Sequence, residues 1–202
     1  HDSSGFKPDK YRLLLCLTKT KKLSTVSMVL CGMFAALVAI GAFIQIPVPY
    51  MDYFTLQFFF VLLAGLILGA DKGAISVGCY VLLGLVGVPI FAAGGGIGYI
   101  FRPSFGYLVG FIVSAYVTGK VCEKLKASYK NYLLACLAGF VVTYAIGIVY
   151  KFIILNFYAH TPATLGVIFL SCFPLDMPGD FVLCLLAAGV GLRMRKSGFY
   201  LS

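Results

Sequence analysis

The chain has 202 residues, of which 61% are hydrophobic and only 11% charged, with a mean hydropathy of +0.99 and a net charge of +9. Soluble domains carry roughly 25% charged residues, so this chain cannot clothe a water-facing surface. Its continuous apolar runs also exclude a membrane β-barrel, whose strands alternate apolar and polar positions. The class that remains is an all-α membrane protein, a single polytopic bundle.

His1-Asp2-Ser3-Ser4-Gly5 opens without an initiator Met and reads as a cloning remnant, so it is set aside. With it, residues 1–22 form a basic cytoplasmic N-terminal segment. Residues 23–195 hold the expected bundle, and 196–202 are a tail. Six transmembrane helices are expected, over residues 23–46, 54–70, 73–90, 103–121, 131–156 and 178–192. At ~1.5 Å per residue each is about long enough for ~30 Å of hydrocarbon, with tilt or bilayer thinning covering the shorter ones. The first is too long for a signal-peptide core and lacks an A-x-A cleavage pattern, so it is expected to be retained.

Charge orients the bundle. Lys7, Lys10, Arg12, Lys19, Lys21 and Lys22 precede the first span. Lys72 lies between spans two and three, and Lys120, Lys124, Lys126 and Lys130 lie around the fourth-to-fifth connection. Arg193, Arg195 and Lys196 follow the last span. That is fourteen of the sixteen Lys and Arg residues on one face, which the positive-inside rule makes cytoplasmic together with both termini. These cations suit anionic lipid headgroups, and their distribution argues against a nucleic-acid role.

Small residues mark close helix contacts. Ala35 and Ala39 on the first span share one face, and a small-x-x-x-small pair serves either internal packing or docking to another subunit. Gly106 and Gly110 on the fourth span favour internal packing. Gly78, Gly84 and Gly87 give the third span the look of a tightly packed central helix.

The far side carries few polar groups: Asp52, Arg102, Lys151, Asp176 and Asp180, with Gln45, Gln57, Asn156 and His160. A charge at bilayer depth costs ~2.5–3.5 kcal/mol on insertion scales, so such groups face a bundle interior or a wet cavity. The bland reading is internal salt bridges, such as Lys151 with Asp176 or Asp180. As a group they point to a polar ligand site at the outer end of the bundle. Asp180 is the sharpest candidate. In Pro178-Gly179-Asp180 the proline suits a first helical turn and the acid suits the helix dipole, yet apolar residues follow at once. A carboxylate held there can cap the helix, and it can also accept two N–H groups from a cyclic urea or amide.

The loop Val88-Pro89-Ile90-Phe91-Ala92-Ala93-Gly94-Gly95-Gly96-Ile97-Gly98 is glycine-rich, but it lacks the strand–turn–helix setting and the G-x-x-x-x-G-K-[ST] pattern of a nucleotide loop. Gly94, Gly95 and Gly96 permit a close backbone approach to a ligand, or form a flexible turn. Arg102 ends the loop and either pairs with a ligand carboxylate or solvates the rim. Tyr80 and Tyr107 join the candidate binding residues.

Catalytic and metal sites are not expected. There is no Ser/His/Asp set and no HExxH, and His160 is the one histidine outside the opening remnant. The seven cysteines (16, 31, 79, 122, 136, 172 and 184) show no C-x-x-C spacing; most sit inside spans, where a free Cys acts as a small hydrophobe, and no metal site or disulfide is expected from them. No ATPase motif and no evident chain of acids through the spans accompanies the candidate pocket, so uphill movement of a solute would draw its energy from a partner.

Several blocks together resemble the BioY family, the biotin-specific substrate-binding (S) components of energy-coupling factor (ECF) transporters. They are Thr55-Leu56-Gln57, Leu63-Ala64-Gly65-x-x-Leu68-Gly69, Gly84-x-x-Gly87-Val88-Pro89-x-Phe91, Pro103-Ser104-Phe105-Gly106-Tyr107-Leu108-x-Gly110-Phe111 and Pro178-Gly179-Asp180. The resemblance covers residues 23–195. It implies an ECF S-component-like bundle of six helices that binds biotin near the outer face and docks onto a transmembrane T component with two cytoplasmic ATPases. The family's docking Ala-x-x-x-Ala matches Ala35 and Ala39. Its carboxylate contact to the biotin ureido ring matches Asp180, its Gln matches Gln57, and its pocket-lining loop matches residues 94–98.

Two departures stand out. Many members carry Lys three residues after the Pro-Gly-Asp aspartate, where this chain has Leu183. Many carry Gly before a Pro-Thr-Gly-Gly-Tyr stretch, where this chain has Arg102 and then Pro-Ser-Phe-Gly-Tyr. Arg102 and Lys151, the two far-side cations, are therefore the candidates for the ligand's carboxylate. Another small vitamin such as lipoate is the alternative ligand. From other classes come an intramembrane enzyme using Asp176 and Asp180 as acid and base, and a packing subunit with no ligand.

Overall fold

The computed structural model describes residues 24–47, 53–159, 164–172 and 176–198. Asp52, His160, Cys16 and the basic residues ahead of the first span lie outside the described residues.

Helix α1 runs Thr25–Phe43, and its first turn is capped by Ser24, whose hydroxyl accepts from the Ser27 amide at 3.2 Å. It stops short of the expected end at residue 46. Pro47 has no amide to donate and disfavours a helical conformation in the residue before it. The chain instead forms a small antiparallel pair, β1 (Gln45–Pro47) and β2 (Tyr53–Thr55), with Gln45 opposite Thr55.

Helix α2 (Gln57–Leu68) has 12 residues, about 18 Å at 1.5 Å per residue. That is too short to cross ~30 Å alone. The expected full span over 54–70 is corrected at both ends: β2 takes its start, and Gly69, at φ 83°, breaks the helix in a conformation that favours glycine. Ten of the 12 residues are buried, so α2 is an interior helix wrapped by the others. Helix α3 (Ala70–Val86) follows at once and ends at Gly87, which is left-handed at φ 119°.

A 3-10 turn (Ile97–Phe101) leads into α4 (Phe105–Lys124), then α5 (Tyr129–Ile153), which continues as a π turn (Ile154–Tyr158). A short helix α6 (Leu165–Cys172) lies within the segment expected to be an outer loop. Helix α7 runs Asp176–Lys196, two residues earlier than expected. Pro178 stands in its first turn, where no amide is needed for the helix ladder. Among the described residues, four helices are long and apolar enough to cross a membrane: Thr25–Phe43, Phe105–Lys124, Tyr129–Tyr158 and Asp176–Lys196. Their outward faces carry Val29, Ile40, Val141, Val149 and Leu186, all exposed, as a lipid-facing surface requires.

Glycines set how closely the helices meet. A Cβ at Gly119 would strike the backbone of Gly69 and Ala70, and one at Gly65 would strike the Ala115 carbonyl. One at Gly106 would meet Tyr150, and one at Gly147 would meet Tyr107. Small residues at such crossings let helices approach where lipid supplies no hydrophobic drive. The lysine-rich end is tied by polar contacts. Glu123 accepts from the Ala70 amide at 2.9 Å and pairs with Lys120 at 3.7 Å, while Arg195 donates to the Tyr132 hydroxyl at 3.0 Å.

Candidate functional site

At the opposite end from these contacts, α2, α4, α5 and α7 part around a cavity of about 100 Å³, several times the space one water needs. The β2–α2 corner contributes Phe54, Thr55, Gln57 and Phe58, and the α3–α4 connection contributes Ala92, Ala93, Tyr99 and Ser104. Helix α4 adds Tyr107, Leu108 and Phe111, α5 adds Tyr144 and Lys151, and α7 adds Asp176 and Asp180. Six of the fifteen lining residues are aromatic. Phe58 stacks on Phe111 at 5.8 Å between centroids, and Tyr107 meets Tyr144 edge-on at 5.8 Å. A few polar groups converge on this apolar shell, the usual make-up of a small-molecule site.

The most defined polar feature is a pair. The Tyr144 hydroxyl donates to Asp180 Oδ2 at 2.7 Å. One such bond uses a fraction of a carboxylate's roughly four acceptor positions, so Asp180 retains acceptor capacity toward the cavity. Gln57 is held differently. The Tyr80 hydroxyl gives its single proton to the Ile90 carbonyl at 3.0 Å, so it must accept from Gln57, whose Nε2 lies 2.6 Å away. That fixes the amide orientation. Gln57 Oε1 is left as an acceptor with no partner among the described residues. The site therefore presents acceptors from facing elements, Asp180 on α7 and Gln57 on α2, with the Asp176 carboxylate also in the lining.

The structure sorts the sequence candidates. Gln57, Tyr107, Lys151, Asp176 and Asp180 line one cavity. Tyr80 lies outside the lining and acts on it through Gln57. Gly94, Gly95 and Gly96 are not among the lining residues. Gly94 and Gly96 adopt φ of 108° and 101°, Gly94 pairs with Phe91 in a one-residue bridge, and the Gly96 amide donates to the Gly84 carbonyl at 2.7 Å. Their glycines shape the loop that delivers Ala92 and Ala93. Arg102 is exposed, with its guanidinium 5.2 Å above the Tyr99 ring, and is not part of the lining. Asn156 sits in the π turn and donates to the Phe152 carbonyl at 3.0 Å, also away from the lining. On α1, Ala35 is buried in the bundle and Ala39 half-buried, whereas Gly32 and Ala36 are exposed.

Sequence reading missed Tyr144. A lone tyrosine inside a span gives no motif. Its signal is spacing: Tyr144, Gly147 and Lys151 fall on one helical stripe, and a hydroxyl on a stripe that ends in a charge needs a polar partner.

Comparison with known proteins follows the same lines. The sequence profile of the BioY family matches residues 18–198. A probable biotin transporter BioY from Lysinibacillus sphaericus is 40% identical over 177 residues, covering 87% of this chain and 90% of that protein. The biotin transporter BioY of Thermotoga maritima is 39% identical over 169 residues, covering 82% and 93%. Among solved structures, the S-component for biotin from an ECF-type ABC transporter superposes with a TM-score of 0.77 at 25% identity, covering 91% of this chain and 97% of that one.

Proposed function

The chain belongs to the BioY family, and from that membership we propose that it is the biotin-binding S component of an ECF-type vitamin importer. It is a multi-pass membrane protein and a transporter subunit, not an enzyme. The observation that carries the ligand assignment is the pair of acceptors, Asp180 held by Tyr144 and Gln57 held by Tyr80, at an aromatic-walled cavity. The ureido ring of biotin offers two N–H donors, which suit two acceptors from facing elements. Its fused bicycle suits the flat walls of Phe58, Tyr107 and Phe111.

Lipoate fits less well. It has an apolar ring and an acid tail but no N–H donor, so it would bury the two acceptors without partners, each at a cost of ~1–3 kcal/mol. The enzyme alternative gives no role to Gln57 and Tyr80.

The cation-rich turns at the end remote from the cavity favour the arrangement with both termini cytoplasmic and the cavity outward. Energy and release belong to the partners, a T component and its two ATPases. The exposed Gly32 and Ala36 support a contact face on α1 on the stripe beside Ala35 and Ala39, the first of which is itself buried. A thermal-shift panel tests the ligand, because a ligand that binds only the folded chain stabilises it by RT ln(1 + [L]/Kd). Biotin is expected to raise the melting temperature of the detergent-purified chain at micromolar concentration, and lipoate and thiamine to leave it unchanged. A shift with lipoate and none with biotin overturns the assignment.

A further inference from the structure

We propose that Lys151, and not Arg102, receives the carboxylate of the ligand's tail and sets the site's preference for an acid over its neutral analogues. This rests on the biotin reading above. Three Asp or Lys side chains line the cavity: Lys151, Asp176 and Asp180. Among the described lining residues Lys151 is the one cation, and the other two charged groups are acids one turn apart on the same face of α7. Lys151 makes no ion pair among the described residues, so its ammonium is available to a ligand. Arg102 is spent outside, exposed over the Tyr99 ring.

The spacing agrees. Tyr144 marks the level of Asp180, and Lys151 lies seven residues further along α5, roughly 10 Å outward at 1.5 Å per residue. A ligand whose N–H head meets Asp180 and whose tail extends along α5 brings its acid to the lysine. The pocket therefore recognises the two ends of one molecule by opposite chemistry, acceptors at one end and a cation at the other. The long, flexible lysine stem lets the ammonium follow tails of slightly different length.

The test compares biotin, biotin methyl ester and biotinamide on the full chain in detergent, by equilibrium binding. The parent is expected to bind biotin at least about tenfold more tightly than either neutral analogue. Lys151→Met is expected to bring biotin down to the level of the neutral analogues while those bind as before, which also shows that the variant is folded. Lys151→Arg is expected to keep the preference, and Lys151→Gln gives the same reading as Met should the latter fail to fold. Arg102→Ala is expected to leave all three affinities unchanged. A parent that prefers biotin, with a Lys151→Met or Lys151→Gln variant that keeps the preference, overturns the assignment to Lys151 and leaves the biotin reading standing. Loss of the preference in Arg102→Ala does the same. A parent that binds none of the three overturns the biotin reading itself, and this inference with it.

Discussion

Tyr144 gives one hydroxyl proton, and the acid of the cavity depends on it. Without that proton Asp180 keeps its position in the apolar end of the bundle but loses a donor at 2.7 Å. Tyr144→Phe is expected to cost about 1.5–3 kcal/mol, the range for a hydrogen bond to a charged group, read as a lower melting temperature of the ligand-free chain. An unchanged melting temperature would show that the carboxylate is held by something else. Tyr80→Phe acts one step further out. It lies outside the cavity lining, yet it releases Gln57 and the Ile90 carbonyl together, so biotin affinity is expected to fall about fivefold, near 1 kcal/mol. Asp180 was legible in the sequence because a carboxylate followed by an apolar run demands a reason. Tyr144 was not, because a tyrosine is at home both in a core and at a membrane interface, and only its partner on another helix gives it a role.

Helices meet here through backbone, and the sequence alone did not say which glycines carry the contact. Gly119 lies against the break between α2 and α3, where an added Cβ would sit on the backbone of Gly69 and Ala70. Backbone cannot rotate aside, so Gly119→Ala is expected to destabilise by about 1–3 kcal/mol, as overpacking does. Gly78 has the same residue type and an equally helical setting on α3, but nothing lies within 4 Å of its Cβ position. Gly78→Ala is expected to be neutral or stabilising by up to about 1 kcal/mol through helix propensity. Thermal melts of the two variants side by side separate them, and equal losses would contradict the packing described. The long apolar runs of α1, α4, α5 and α7 were legible because hydropathy reports a helix that must face lipid. The shortness of α2 was not. Its apolar run reads like a span, and only the short events at its ends, a three-residue strand ending at Thr55 and a break at Gly69, turn it into an interior helix. Helix α6 was missed because its eight residues are too few to show a period between turn-forming neighbours.

Across the whole molecule, charge and cavity lie at opposite ends. Glu123, Tyr132 and Arg195 gather the starts and ends of α3, α4, α5 and α7 at the cationic end, and Asp180, Gln57 and Lys151 gather at the other. In a cysteine-free background, Lys126→Cys is expected to react with an impermeant maleimide only after the membrane is opened. Ile97→Cys, in the exposed turn above the cavity, is expected to react in intact cells. The reverse pattern would invert the topology. More direct still is the proposal that one chain, without nucleotide or partner, binds one biotin through Asp180. Isothermal titration of the purified full chain tests it. Saturable binding at one biotin per chain is expected, weakened by roughly tenfold to 150-fold in Asp180→Asn, the equivalent of about 1.5–3 kcal/mol. A folded Asp180→Asn variant that binds biotin as tightly as the parent would contradict it.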